Sequence, residues 1–343
     1  MIRLALDAMG GDNAPACVVR GADIACGVNP NLEIVFYGDE ARISPLIAKA
    51  SHLGRASIVH TVDAVSPDDT ASQAVRRGKA TSMWMAIASV AAGETDAVVS
   101  AGNTGALMAM SKLQLRPMTG VTRPAIAAFF PTVGELVCML DLGANIECDA
   151  ENLVQFAILG QAFHRSLTGK ESPRLGLLNV GEEEQKGHDY LRVASRRLSD
   201  PELGLNYQGF VEGSDITNGQ LDVVVTDGFS GNVALKMAEG ISSMFTRLLR
   251  RSLNKSFLSR LGYLLARSAL SEMRTHIDPR HYNGAVFLGL NGIAVKSHGG
   301  TDRIGFANAI NVALELVDHG FLPDVSAAIA RANTILERKD DDG

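Results

Sequence analysis

Short apolar runs alternate with longer stretches of helical periodicity over most of this chain. A run of roughly four to eight apolar residues is typical of a buried strand, whereas apolar residues three and four positions apart are typical of a helix packed on a core. The predicted strands are Ile2–Asp7, Leu32–Tyr37, Ser57–His60, Ala97–Ser100, Ala125–Phe130, Leu136–Asp141, Leu175–Val180, Asp222–Thr226, Val286–Leu288 and Ile293–Lys296. The predicted helices are Cys17–Val28, Glu40–Ala50, Ser82–Ala92, Thr104–Leu115, Ala150–Leu167, His188–Leu198, Asn232–Leu253, Ile304–His319 and Val325–Leu336.

The order of these elements predicts an α/β fold, in which a largely parallel sheet carries helices on both faces. One pair of consecutive strands, 125–130 and 136–141, is separated only by a short segment that contains Pro131 and Gly134. Such a connection indicates an antiparallel β-hairpin within the βα pattern. No linker divides residues 1–343, which predicts one α/β unit with room for two lobes around a cleft.

Polar loops rich in Gly, Ser, Asn and Thr follow four of the predicted strands and lead towards helices. The start of a helix leaves backbone N–H groups without partners at the positive end of the helix dipole, which favours an anion. The four loops therefore predict one shared crevice for an anionic ligand. The candidate anion-binding residues in these loops are Gly10, Gly11, Asp12, Ser100, Gly102, Asn103, Thr104, Asn145, Gly228, Ser230 and Gly231.

Charged and amide side chains near the same strand ends are further candidates. Lys236 lies one turn into the helix after the fourth loop, where its ammonium group fits a phosphate counter-charge, and Asp227 and Asn232 belong to that loop. Lys296 and His298 follow the last predicted strand and form another wall of the predicted crevice. Each feature also has a structural interpretation: the glycines permit tight turns, the Asn, Ser and Thr residues cap helices, the lysines are solvated and the histidine is structural.

Composition narrows the class of protein. The chain has 343 residues, of which 46% are hydrophobic and 20% charged, and its net charge of −6 argues against nucleic-acid binding. The four cysteines show no C-x-x-C spacing and indicate reduced, mostly buried thiols. The sequence shows neither an apolar run of the roughly 18 residues that a spanning helix needs nor a secretion signal. We therefore expect a cytoplasmic protein.

The segment 241–274 differs in kind from the rest, because apolar residues at helical spacing alternate there with basic ones. From Arg247 to Arg274 there are seven basic residues and one acidic residue, a local charge of +6. A basic amphipathic segment fits an acidic protein or an anionic membrane surface, and the alternative is a helix pair in the core or at a subunit interface. The residues predicted to form this partner surface are Arg247, Arg250, Arg251, Lys255 and Arg260.

Seven short motifs occur in one order from residue 2 to about 335. They are DAMGGD at 7–12, AVRRGKATSM at 74–83, SAGNTGA at 100–106, DLGAN at 141–145, NVGEE at 179–183, TDGFSGNVALK at 226–236 and LGLNG at 288–292. Together they resemble the signature blocks of the bacterial phosphate acyltransferases called PlsX. That family is similar in fold to phosphate acetyltransferases and to the isocitrate-dehydrogenase-like group. One local departure is the stretch 66–73, where the family often has an acidic-Pro sequence.

The resemblance implies a reaction in which acyl-ACP (acyl carrier protein) and inorganic phosphate give acyl phosphate and free carrier, for phospholipid synthesis. It also implies a homodimer with the site in a cleft and, as a downstream partner, a glycerol-3-phosphate acyltransferase. Peripheral attachment of the protein to a membrane surface is the corresponding expectation for its location.

The implied chemistry agrees with the residues. Phosphate is largely dianionic near neutral pH, and a thiolate with a pKa of about 8.5 leaves readily, so positioning and oxyanion donors matter more than strong acid–base catalysis. The sequence contains no H-E-x-x-H, G-x-S-x-G or Walker A motif, and we expect no metal, no cofactor and no covalent enzyme intermediate. The candidate catalytic residues are Asn232, Lys296, His298 and Asp227.

Three other functions stay open on the sequence. A phosphate acetyl- or butyryltransferase that uses coenzyme A shares the chemistry and differs only in the acyl donor. An NAD-dependent dehydrogenase of the same fold would need a cluster of metal-binding aspartates, whereas the aspartates here are scattered over separate motifs. A non-catalytic, membrane-associated module that binds acyl-ACP would show binding without turnover.

Overall fold

A computed structural model of the chain describes residues 1–253 and 255–341. The strands are β1 (Ile2–Asp7), β2 (Leu32–Gly38), β3 (Ser57–His60), β4 (Ala97–Ser100), β5 (Ala125–Phe130), β6 (Val137–Leu140), β7 (Arg174–Leu178), β8 (Asn206–Val211), β9 (Val223–Val225), β10 (Ala285–Leu288) and β11 (Ile293–Lys296). The α-helices are α1 (Ala16–Val28), α2 (Glu40–Ile47), α3 (Ala71–Arg77), α4 (Ser82–Ala91), α5 (Thr104–Gln114), α6 (Ala150–Thr168), α7 (Asp189–Leu198), α8 (Gly228–Leu253), α9 (Phe257–Leu265), α10 (Arg267–His276), α11 (Arg303–Asp318) and α12 (Phe321–Asp341).

The described strands form one sheet in the order β3-β2-β1-β4-β11-β10-β5-β6-β9-β7-β8. From β3 to β11 the strands are parallel, and from β6 to β8 they are parallel again. Three antiparallel pairings, β11 with β10, β10 with β5 and β5 with β6, lie between these two groups. Because three reversals separate them, the carboxyl ends of β1, β4 and β11 lie at the opposite edge of the sheet from those of β6 and β9.

Successive strand residues point to opposite faces of the sheet, and both faces are covered. In β1, Leu4 and Leu6 pack into one hydrophobic cluster with residues of α1, α6 and α11, whereas Ala5 packs into a second cluster with residues of α4 and α5. The α/β fold with a largely parallel sheet and helices on both faces is therefore confirmed, as is the antiparallel hairpin of β5 and β6.

The sequence missed β8 and α3 and placed the starts of α8 and α12 four residues too late, the latter at Val325 instead of Phe321. β8 carries polar and half-exposed residues because it is an edge strand, so it lacks the apolar run of a buried strand. The short helix α3 was not predicted. α8 begins at Gly228 rather than at Asn232, so most of the predicted fourth loop is the first turn of a helix.

Candidate active site

The loops that follow β1, β4 and β11 pack against one another and are called here the first loop cluster. Their strands are neighbours in the sheet, so their carboxyl ends meet. The Asp12 N–H donates to Gly299 O at 2.9 Å, and the Ser297 N–H donates to Ser100 O at 2.9 Å. The sequence predicted this grouping for Gly10, Gly11, Asp12 and the loop that begins at Ser100.

Asp7 is the buried centre of the first loop cluster. The hydroxyls of Ser82 and Ser100 each donate to its carboxylate at 2.6 Å, and the Met9 N–H donates at 3.3 Å. Burial raises the pKa of Asp7, and these hydrogen bonds act against that rise. Ser100 is fully buried and also accepts from the Gly102 N–H, so it holds this network, and its predicted contact with a ligand stays a prediction.

The glycines of the first loop cluster allow its loops to approach closely. A Cβ on Gly10 would lie 2.4 Å from Asp7 Oδ2 and 2.7 Å from Gly102 N, which no side chain can occupy. Gly11 has a φ of 100°, in the left-handed region that favours glycine. These contacts explain Gly10, Gly11 and Gly102 without a ligand, so the structural interpretation suffices for them.

The start of α5 is the exposed part of the first loop cluster. Asn103 caps the helix, since its Oδ1 accepts from the Ala106 N–H at 3.0 Å while its Nδ2 donates to Pro67 O and Asp69 O. The exposed Thr104 and the residue after it lie in the first turn, where N–H groups have no intrahelical partner. This helix start therefore offers donors to an anion.

Lys296, at the end of β11, brings a positive charge into the first loop cluster. It pairs with Ser100 in the register of β11 and β4. Burial lowers its pKa to about 8, Asp7 and Asp12 act against this lowering, and the charge of Lys236 adds to it. Lys296 and Lys236, which come from β11 and α8, are thus close enough for their charges to interact.

Asn283, which the sequence analysis did not single out, fixes the loop after Lys296. Its Nδ2 donates to Ser297 Oγ and Gly305 O at 2.7 Å, and its Oδ1 accepts from the His298 N–H at 2.9 Å. The His298 ring is exposed, and its Nδ1 accepts from the Gly300 N–H at 3.1 Å. Nε2 of His298 therefore remains available to a ligand.

The loop after β6 and the start of α8 form the second loop cluster, which is centred on the buried Asp141. Its carboxylate accepts from the N–H groups of Ile126, Gly143, Ala144 and Asn145 and from Asn145 Nδ2. Asn145 Nδ2 also donates to Pro124 O at 2.8 Å. Asn145 therefore holds the loop through its amide N–H groups, and its predicted role in phosphate binding stays a prediction.

The first turn of α8 rests on that loop. Asp227 caps the helix by accepting from the Ser230 N–H at 2.8 Å and the Ser230 hydroxyl at 2.9 Å. A Cβ on Gly231 would lie 1.9 Å from Asp141 O, and one on Gly228 would lie 2.5 Å from Asn145 O. These contacts give α8 and the second loop cluster a structural connection. The catalytic role predicted for Asp227 and the phosphate contacts predicted for Gly228, Ser230 and Gly231 stay predictions.

Asn232 and Lys236 lie on the exposed side of α8. Asn232 contacts Gly143, and its amide makes no hydrogen bond within residues 1–253 and 255–341. Lys236 Nζ donates to Glu239 Oε2 at 2.9 Å and influences Lys296 across the gap to β11. The polar loops were predicted to form one crevice, but they lie in two clusters at opposite ends of the strands. α8 connects the second loop cluster with the first, because its Lys236 interacts with Lys296.

The basic segment projects from the body of the protein. Arg247, Arg250, Arg251 and Lys255 are exposed, and Arg260 belongs to α9 with a side chain outside the described part of the structure. α8 also exposes an apolar stripe at helical spacing. Its residues are Phe229, Val233, Met237, Ile241, Met244, Phe245 and Leu248. Across the described ranges, no helix combines the length and apolarity that crossing a membrane requires.

The thiols and the acidic groups supply no further chemistry. Burial raises the pKa of all four cysteines, and that of Cys148, which lies beside the second loop cluster, to about 12. Among the side chains that the structure describes, no three His, Cys, Asp or Glu residues are grouped to hold a metal ion. The polar groups that the described site presents are helix N–H groups, amides, lysines and the His298 ring.

The chain matches the family model described as "Fatty acid synthesis protein" over residues 2–323. It is 56% identical over 335 residues to a phosphate acyltransferase of Rhodospirillum centenum, which covers 97% of this chain and 94% of that relative. It is 51% identical over 333 residues to a phosphate acyltransferase of Rhodospirillum rubrum, which covers 97% of this chain and 95% of that relative.

Solved structures with the same fold include two acyl-transferring enzymes. A phosphotransacetylase from Streptococcus pyogenes superposes with a TM-score of 0.63 at 16% identity, over 92% of this chain and 94% of the other. A branched-chain phosphotransacylase from Enterococcus faecalis gives a TM-score of 0.57 at 13% identity, over 92% and 99% of the two chains. Identities this low show a common fold alone.

Proposed function

The chain belongs to the phosphate acyltransferase family, and we propose that it transfers a fatty acyl group from the thioester of acyl carrier protein to inorganic phosphate. The products are acyl phosphate and free carrier, and the reaction is reversible. Acyl phosphate is a reactive mixed anhydride, so the proposal includes an acyltransferase that consumes it by acylating glycerol 3-phosphate.

The observation that carries the phosphate site is the approach of Lys236 to Lys296. Lys296 is half-buried, and the positive charge of Lys236, which is itself paired with Glu239, adds to the burial that disfavours the Lys296 ammonium form. An anion between the two lysines opposes that effect. The N–H groups at the start of α5 add donors on the same side of the sheet, next to Ser100 and Lys296.

The reaction proposed at this site is direct attack of phosphate on the thioester carbonyl. Phosphate is itself a nucleophile, and Cys148, the cysteine beside the second loop cluster, has a pKa raised to about 12, mainly by burial. A thiol with that pKa is protonated at neutral pH and does not accept the acyl group. Asn232, whose amide is unpartnered among the described residues, donates to the developing oxyanion in this proposal.

The exposed surfaces of α8 fit two kinds of partner. The apolar stripe from Phe229 to Leu248 has the size of an interaction site, and we assign it to a second copy of the chain in a homodimer. The basic residues 247, 250, 251 and 255 fit an acidic partner, either the carrier protein or an anionic membrane to which a cytoplasmic enzyme attaches peripherally.

Release of thiol tests the proposed function directly. Acyl-ACP and acyl-coenzyme A of the same chain length are incubated with the protein, with and without inorganic phosphate. Phosphate-dependent release from acyl-ACP that exceeds release from the coenzyme A ester supports the proposal. Preference for the coenzyme A ester supports the rival acetyl- or butyryltransferase, and binding of acyl-ACP without release supports a non-catalytic module.

The partner surface has its own test. We expect the triple variant Arg250→Glu, Arg251→Glu and Lys255→Glu to bind acyl-ACP, anionic vesicles or both more weakly, and wild-type binding to weaken as salt rises. Reaction of a small soluble thioester should stay unchanged, because these residues lie beyond the site along α8. If the variant binds both partners normally, the basic segment has a role in packing or at a subunit interface and does not bind these partners.

A further inference from the structure

Lys296 lies at the carboxyl end of β11, within the first loop cluster. It is the last residue of β11 and pairs with Ser100 of β4, so its side chain starts at the centre of the first loop cluster. Its Nζ donates to Ser297 O, a main-chain partner that carries no charge. Lys296 therefore has no carboxylate as its direct hydrogen-bond partner within the described residues.

Charged groups from three other elements face Lys296. Asp7 ends β1, Asp12 lies in the loop after β1, and Lys236 belongs to α8. The two acidic groups favour the charged ammonium form, whereas burial and Lys236 favour the neutral amine. This opposition makes both protonation states of Lys296 accessible near neutral pH, which an ordinary exposed lysine with a pKa of about 10.4 does not allow.

We propose that Lys296 is the proton carrier of the acyl transfer, giving its Nζ proton to the departing sulfur and taking up the hydroxyl proton of the attacking phosphate. This inference rests on the proposed function and adds a step to it. It differs from a purely electrostatic role, in which Lys296 would only hold the phosphate and keep its proton throughout.

The step balances without another reactant. An oxygen of HPO₄²⁻ donates an electron pair to the carbonyl carbon, and the new C–O bond gives a tetrahedral oxyanion. The oxyanion collapses, the C–S bond breaks with its electron pair on sulfur, and sulfur takes a proton from Lys296 Nζ. The P–OH proton of the acyl phosphate then returns to Nζ. The net change turns HPO₄²⁻ and thioester into acyl phosphate dianion and thiol.

The acidity of Lys296 matches this task. Proton transfer is most efficient when the donor has a pKa near the operating pH, and an alkyl thiol leaves with a pKa of about 8.5. The pKa of Lys296, about 8, is close to both values. Asp7 is then a positioning residue: it is locked by Ser82 and Ser100 and holds negative charge near Nζ, which keeps Lys296 protonated before attack.

The decisive experiment varies the leaving group. Wild-type protein and the Lys296→Arg variant are compared on hexanoyl thioesters of an alkyl thiol and of thiophenol, at saturating phosphate. Arginine keeps the charge and does not release a proton near neutral pH. We expect the variant to lose about 100- to 10,000-fold in kcat with the alkyl thioester, the range of general acid catalysis. With the aryl thioester, whose thiolate leaves unprotonated, the loss should be far smaller.

An equal loss on both thioesters, or a change only in the KM for phosphate, overturns the proton-carrier role while leaving the proposed function intact. Absence of phosphate-dependent release in the wild type overturns the proposed function instead. Lys112→Arg, an exposed lysine of α5, is the matched control and should leave both rates unchanged.

A second measurement serves if Lys296→Arg fails to fold. The wild-type kcat/KM with acyl-ACP should fall above pH 8, as Lys296 loses its proton. In Asp7→Asn this alkaline limb should move to lower pH, because the carboxylate that favours the ammonium form is gone. An alkaline limb that stays in place in Asp7→Asn overturns the proposal.

Discussion

Asp7 and Asp141 are both buried aspartates at the carboxyl ends of strands, and both follow short apolar runs, yet their surroundings differ. The carboxylate of Asp141 accepts hydrogen bonds from backbone N–H groups of its own loop and of the neighbouring strand. Asp7 accepts from two serine hydroxyls and lies near the ammonium group of Lys296. Asp141 therefore holds the conformation of its loop, whereas Asp7 raises the pKa of Lys296.

The largest effect should come from removing the loop-building aspartate. Asp141→Ala leaves five donors without their acceptor in a buried place, and each unsatisfied donor costs about 1–3 kcal/mol. We expect a loss of about 4 kcal/mol or more in the free energy of unfolding, measured by urea denaturation. The exposed Asp68→Ala should change it by less than about 0.5 kcal/mol. Equal stability of the two variants would contradict the role of Asp141.

Asn232→Ala tests whether α8 contributes to the chemistry. The side chain is exposed, so folding should be unaffected, whereas loss of one oxyanion donor costs about 100- to 1,000-fold in kcat. Thr246→Ala, on the exposed part of α8, is the control and should keep wild-type rates. Normal turnover in Asn232→Ala would restrict the site to the first loop cluster.

Lys296→Met should stabilise the protein while removing its activity. The pKa of Lys296 is about 8 in the folded protein and about 10.4 in the unfolded chain, so the unfolded chain binds more protons between these values. The free energy of unfolding of the wild type therefore rises between about pH 8 and about pH 10.4. Below pH 8 the partly buried charge of Lys296 lowers that free energy by on the order of 3 kcal/mol. The variant should be the more stable protein at pH 7, with the difference fading by pH 10.

Added phosphate sharpens this stability test. An anion that binds only the folded protein raises its Tm, and wild-type protein should respond to phosphate whereas Lys296→Met should not. Sulfate is a useful comparison, because it has the same shape and charge and cannot be acylated to a stable product. Identical responses of both proteins to phosphate would place the anion elsewhere.

The smallest effect should come from Asp7→Asn. Asparagine keeps one acceptor oxygen, so only one of the two hydroxyls of Ser82 and Ser100 loses its acceptor, and we expect a change of stability of about 1–2 kcal/mol, well below that of Asp141→Ala. Its activity at pH 7 should fall by only about twofold, because lowering the pKa of Lys296 from about 8 by about one unit still leaves about half of Lys296 protonated at pH 7. A stability loss as large as that of Asp141→Ala would remove the contrast between the two aspartates.

The sequence predicts the fold well because alternation of apolar runs and helical periodicity is local. It identifies the strand ends, the hairpin and the capping role of Asn103 for the same reason. It cannot distinguish Asp7 from Asp141, because the direction of each strand depends on the antiparallel pairings through β10 and β5, which are long-range. The interaction of Lys236 with Lys296 depends on the same long-range arrangement.

The glycines show the second limit of sequence analysis. Gly231 stands in a motif that is typical of an anion-binding loop, but its close neighbour is Asp141 O of another loop. A sequence shows that a position is glycine, but it does not show which atoms pack against that glycine, whether those of a ligand or of another loop. The sequence therefore identifies the polar loops as elements, whereas their contacts with a ligand stay predictions.

α8 has a mechanical consequence for the enzyme. The helix is 26 residues long, and at about 1.5 Å per residue it spans close to 40 Å. Its first turn packs on the second loop cluster, its third turn carries Lys236, whose charge interacts with Lys296, and its far end carries the exposed arginines. Because one continuous helix joins these regions, we expect a partner bound at the far end of α8 to change the orientation of Asn232 and Lys236.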